Sequence, residues 1–154
     1  MHDDFREEYG FSLTRQFSAA PERVFAALAD AEARKTWGTP APSVALRYDS
    51  ADFREGGRDV YWCVIDGDPR FKLDVIYHEI RAPNRLSYIE TCAEGGARMF
   101  SLLVSYDIRA DGKGSMLEVT LRGVSLDGTD ALYGPRHGMP AALDNLVRYI
   151  DANI

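Results

Sequence analysis

The chain has 154 residues and a mass of 17.2 kDa, enough for one domain and too little for two. At 45% hydrophobic and 27% charged residues, its composition is globular and excludes extensive disorder. Lys and Arg total 18 against 24 Asp and Glu, a net charge of -6, which argues against a dedicated nucleic-acid binder but leaves room for an anionic small ligand met by one or two local cations. No apolar run approaches the roughly 18 residues of a membrane span. The opening MHDDFREEYG lacks the basic and apolar regions of a signal peptide, so the cytoplasm is the default location.

Residues 1–8 set Asp3, Asp4, Glu7 and Glu8 against Arg6 and read as a solvated acidic tail; residues 9–154 are expected to form a single domain. Phe11, Leu13, Arg15 and Phe17 alternate with polar residues and predict a strand. Pro21, Glu22 and the stripe Val24, Phe25, Leu28 predict a short helix. Asp30 can cap a second, AEARKTW, which ends before Gly38 and the prolines at 40 and 42. Strands follow at Val44–Tyr48, at DVYWCVI (apolar on both faces), FKLDVIYHEI, RLSYIETC, MFSLLVSYDI and SMLEVTLRGV. They are separated by turn signals at Gly56-Gly57, Asp66-Gly67, Pro83-Asn84, Glu94-Gly95-Gly96 and Asp111-Gly112. Met139, Leu143, Leu146, Val147 and Ile150 lie at helical spacing, giving a closing helix from about Met139 to Ala152, with Gly134-Pro135 and Gly138 expected to interrupt any helix upstream.

Short turns make neighbouring strands antiparallel. A sheet with one apolar face needs a cover, and the closing amphipathic helix supplies it. The predicted fold class is α+β: a curved antiparallel sheet of six to seven strands around a long C-terminal helix, with two short helices after the first strand.

Four segments in this order, FSAAPERVFAALADAEARKTW, DFREGG, HEIRAPNRLSYIET and HGMPAALDNLVRYI, resemble the START-like (SRPBCC) superfamily, in the branch named for the activator of heat-shock chaperone ATPase. The resemblance covers about Phe11 to Ile150. It implies a helix-grip fold with an apolar cavity between sheet and C-terminal helix. Met139 stands where many relatives carry tryptophan, which makes that end of the cavity softer. Lipid carriers, hormone receptors, aromatic cyclases and oxygenase substrate domains share this superfamily, so the fold alone does not choose a function.

Polar residues on apolar faces are the candidates for chemistry. Asp59, Glu79 and Glu90 each have an ordinary reading, a strand end in solvent or a structural ion pair, and a functional one, a carboxyl group facing the cavity. Arg15 poses the same question. His78 shares its face with Lys72 and Asp74 and is expected outward. Cys63 and Cys92 lack the spacing of a metal site or disulfide scaffold and read as reduced, small apolar side chains. The histidines His2, His78 and His137 show no paired spacing, and neither a metal nor a cofactor is expected. Inward register nominates Tyr61, Cys63, Val75, Tyr77, Tyr88, Leu102, Val104 and Tyr106 as ligand-binding positions on the strands, and Met139, Leu143 and Val147 on the helix. Trp37 reads as core.

Three functions compete. The leading one is binding of a small hydrophobic or aromatic molecule in the sheet–helix cavity. The second is an enzyme of the cyclase, dehydratase or hydrolase type acting there on an aromatic or polyketide-like substrate. The third is a co-chaperone of a chaperone ATPase, for which the eukaryotic activators carry an additional N-terminal domain. No nucleic acid or membrane partner is expected, and a homodimer through a sheet edge or an exposed Trp62 stays open.

Overall fold

The computed structural model describes residues 10–152; the predicted acidic tail lies outside them. The first alternating segment is strand β1 (Gly10–Phe17). Helix α1 (Pro21–Ala29) opens on Pro21, whose missing N–H costs nothing in a first turn. Asp30 then serves two helices: its amide closes α1 on Ala26, and its side chain caps α2 (Ala31–Trp37) by accepting the Glu32 amide at 3.0 Å.

Six strands follow: β2 (Val44–Ser50), β3 (Arg58–Ile65), β4 (Asp68–Arg81), β5 (Arg85–Glu94), β6 (Ala97–Asp111) and β7 (Gly114–Ser125). At the β3–β4 turn Asp66 and Gly67 both take positive φ, 50° and 83°, as a two-residue primed hairpin requires. All neighbours are antiparallel in one seven-stranded sheet, ordered β1-β7-β6-β5-β4-β3-β2. One face of the sheet carries the core; α1 packs across β6 and β7, and the closing helix α3 (Tyr133–Ala152) lies against β1, α1 and α2.

Helix α3 begins six residues before the expected Met139. Gly134 and Pro135 fall in the first turn, where backbone amides lack intrahelical partners, so neither breaks the helix. The Asp130 carboxylate accepts the Leu132 amide at 3.0 Å just ahead of that turn, and the Arg136 amide reaches Leu132 O at 2.7 Å. Pro140 lies inside the helix. Its carbonyl accepts Arg15 Nη2 at 3.4 Å while Arg15 Nε pairs with Asp144 at 2.9 Å, so the arginine on the apolar face of β1 ties that strand to α3.

The two halves of α3 do different things. Leu143, Leu146 and Ile150, each at most 1% exposed, fill the core. Pro135, Gly138, Met139 and Ala142, from the earlier turns, roof a hollow.

Candidate functional site

That hollow has a volume of about 220 Å³ and lies between the sheet, α2 and the first half of α3. Five tyrosines line it: Tyr48 on β2, Tyr61 on β3, Tyr77 on β4, Tyr88 on β5 and Tyr106 on β6. Val75, Leu86, Leu102 and Leu121 supply apolar floor between them. The rings form two linked sets. Tyr48 stacks on Tyr61 with centroids 4.9 Å apart, while Tyr77, Tyr88 and Tyr106 follow one another at 5.9 and 6.0 Å. Tyr88 and Tyr106 also share a hydroxyl–hydroxyl bond of 3.3 Å.

Two carboxyl groups belong to this region, and they differ in kind. Asp59 has 0% exposure, which corrects its reading as a strand end in water. Burial is tolerated because the carboxylate is fully engaged. Oδ1 accepts the Asp52 amide at 2.8 Å; Oδ2 accepts Arg34 Nη1 at 2.8 Å and the Tyr77 hydroxyl at 2.5 Å. The DFREGG segment builds this arrangement. The Gly56 amide donates to Tyr77 O at 2.9 Å and the Tyr77 amide donates to Gly57 O at 3.0 Å, which hangs the loop on β4. A Cβ on Gly57 would collide with the Asp52 carbonyl, so only glycine closes the loop tightly enough to aim the Asp52 amide at Asp59. Phe53 wedges edge-on against Tyr77, 4.9 Å between centroids, and against Phe25.

Arg34 is the cation of the cavity wall among the described residues. It donates to Asp59 and, at 2.6 Å, to Tyr77, with its guanidinium carbon 5.3 Å from the Tyr48 ring centroid. Desolvation works to discharge it, but attraction from Tyr48, Tyr77 and Asp59 holds it firmly protonated. No local pattern in the sequence marks this pairing: Arg34 and Asp59 are 25 positions apart on different elements.

Glu90 is the other carboxyl group. It stands mid-strand on the core face of β5, flanked in register by Val75 on β4 and Leu102 on β6. Oε1 accepts the Tyr61 hydroxyl at 2.6 Å. Desolvation raises its pKa, and the Tyr61 hydrogen bond offsets only part of the rise. Burial likewise pushes the Cys63 and Cys92 thiols up to about 12.

Glu79 is outside the cavity. A bulge at His78 shifts the β4 register between Tyr77 and Glu79, so Ile80 takes the inward place opposite Leu86. Glu79 is left to pair with Arg81 at 3.1 Å and Arg85 at 3.5 Å. Strict alternation predicts it inward; one extra residue reverses the parity. Of the ligand-binding nominations, Tyr61, Cys63, Val75, Tyr77, Tyr88, Leu102, Tyr106 and Met139 line the cavity. Val104, Leu143 and Val147 do not: Val104 and Leu143 are 1% and 0% exposed in the solid core, and Val147 packs against it. The structure adds Tyr48, Leu46 and Trp37, the last both core and lining, with its indole N–H donating to Ala27 O at 3.0 Å.

A curved antiparallel sheet gripping a long C-terminal helix, with two short helices after the first strand, is the helix-grip, START-like class of protein. Within it, the chain belongs to the family described as Activator of Hsp90 ATPase homolog 1-like protein, whose sequence model matches residues 18–151. The structure is similar to that of the Mll3558 protein from Rhizobium loti (28% identity, TM-score 0.80, covering 91% of this chain and 95% of that one). It is also similar to an uncharacterised protein from Rhizobium leguminosarum (26%, TM-score 0.79, 93% and 94%). The AHSA1 protein from Silicibacter pomeroyi shares the fold at 20% identity (TM-score 0.76, 94% and 99%). No curated protein matches the sequence significantly. Among the described residues, no helix is long and apolar enough to cross a membrane.

Proposed function

We propose that this protein binds a small apolar or aromatic molecule in the cavity beneath the first half of α3. One observation carries the reading: a hollow of about 220 Å³ whose wall is tyrosine and aliphatic carbon, interrupted by few polar groups. At interior packing density, about 0.74, this space takes a guest of roughly 160 Å³, a compound of one or two rings.

The test is a thermal-shift screen of one- and two-ring compounds on the native protein and on Ala142→Phe. Ala142 lines the cavity roof, so a phenyl group there fills the space a guest would use. A ligand at about a hundredfold its Kd adds roughly 2.7 kcal/mol, worth about 5–10 °C in a domain of this size. A shift present in the native protein and lost in Ala142→Phe is expected. Equal shifts in both would place binding elsewhere and end this reading.

Catalysis is the second reading, and it rests on Glu90. Asp59 is saturated by three hydrogen bonds and Glu79 is held in surface ion pairs, so neither is available as a general acid or base. Glu90, with a raised pKa and a tyrosine hydroxyl on one oxygen, has the character a cavity acid–base group needs. Turnover of a ligand found in the screen, abolished in Glu90→Gln, is the result that would favour it.

A further inference from the structure

The cavity has an unequal charge arrangement. Arg34 has its charge neutralised by Asp59: its Nη1 donates to both Asp59 and Tyr77, while its buried Nε has no hydrogen-bond partner among the described residues. Glu90 has no such partner. Its pKa is raised by desolvation and partly offset by the Tyr61 hydroxyl, and among the described residues it forms no ion pair. The groups that feel its charge are Tyr48 from β2, Tyr61 and Cys63 from β3, Cys92 and Tyr88 from β5, and Tyr106 from β6, all neutral acids at physiological pH. From β4 comes Tyr77, which is bound to Asp59, and the lining residues of α3 carry no charge. A carboxyl group among tyrosine rings, with no ion-pair partner among the described residues, is the environment that recognises an ammonium group: ring faces attract it electrostatically and the carboxylate pairs with it.

We propose that the ligand of this cavity is a small arylalkylamine, its protonated nitrogen seated against Glu90 among the tyrosines and its ring on the floor formed by Val75 and Leu102. This rests on the binding reading above and specifies the chemistry of the guest. An anionic counterpart meets the Glu90 carboxyl group and an arginine whose charge Asp59 already neutralises. A neutral alcohol of the same shape gains the apolar contact and a single hydrogen bond.

Three probes of matched shape separate these cases: 2-phenylethylamine, 2-phenylethanol and phenylacetate, titrated calorimetrically into the native protein. The amine is expected to bind about tenfold or more tightly than the alcohol, with phenylacetate weakest. Glu90→Gln keeps an acceptor for Tyr61 but removes the charge, and should bring the amine down to the level of the alcohol. In the native protein, amine affinity should fall as pH drops through the raised pKa of Glu90, because the amine binds the ionised carboxylate; the alcohol should show no such dependence. This pH series stands independently of whether the variant folds. If the alcohol or phenylacetate binds as tightly as the amine, or amine affinity is flat across that pH range, the amine assignment is wrong while cavity binding stands. If none of the three binds and the Ala142→Phe screen is also negative, both fall together.

Discussion

Asp59 and Glu90 are two carboxyl groups on neighbouring parts of one sheet face, and the difference between them lies in their partners. Asp59 exists where it does only because Arg34, Tyr77 and the Asp52 amide converge on it. Asp59→Ala leaves Arg34 charged, largely buried and unpaired, and should cost about 3–5 kcal/mol in urea denaturation. Glu90 carries the opposite sign. Its folded pKa lies above the ordinary 4.5, so the folded state holds a proton that the unfolded state releases first. Stability therefore falls as pH rises from 4.5 through the raised value and stays lower above it. Glu90→Gln should be more stable than the native protein at neutral pH, and the gain should vanish when the denaturation midpoints are compared below pH 4.5. A gain that persists in acid would point to packing instead of charge.

At the scale of elements, the parts legible in sequence were those written in short-range pattern. Asp66-Gly67 announced its hairpin because two successive positive φ angles suit few other residue pairs. Pro21 and Asp30 announced the two short helices through first-turn and capping chemistry. The bulge at His78 left no such mark: an exposed histidine in a strand of alternating residues looks like any other, and only the partner strand reveals the extra residue. The Arg34–Asp59 pair was hidden for a different reason, since its two halves are brought together by tertiary folding alone. The bulge makes a sharp prediction. His78→Ala, at an exposed site, should change stability by no more than about 0.5 kcal/mol. Deleting His78 removes the extra residue and keeps Glu79 opposite Ser87 and Ile80 opposite Leu86, so folded protein should still accumulate, read by expression and circular dichroism. Helix α3 offers the matching contrast. Leu143→Ala, in its solid half, should cost about 2–5 kcal/mol without changing ligand specificity.

For the molecule as a whole, the loop after α2 and the start of α3 meet at the cavity wall. Gly38 and exposed Pro40 lie at the lining on one side, and Pro135, Gly138 and Met139 on the other. Asn145 Nδ2 donates to Thr39 O at 2.7 Å and straps the two together. Asn145→Ala should cost about 1 kcal/mol and speed both entry and escape of a guest, measured by stopped-flow, with the rates rising more than the affinity changes.

The pairing of β1 with β7 sets Phe17 beside Ser115 and Gly10 beside Arg122, joining the two flanks of the chain. During synthesis the opening strand must therefore wait, unzipped, while nearly every other piece of the barrel-like wall is threaded out and laid down. The roof arrives later still. A nascent chain halted short of Gly114 should consequently stay protease-sensitive, and refolding from denaturant should be slow for its size, since the decisive closure spans most of the polypeptide.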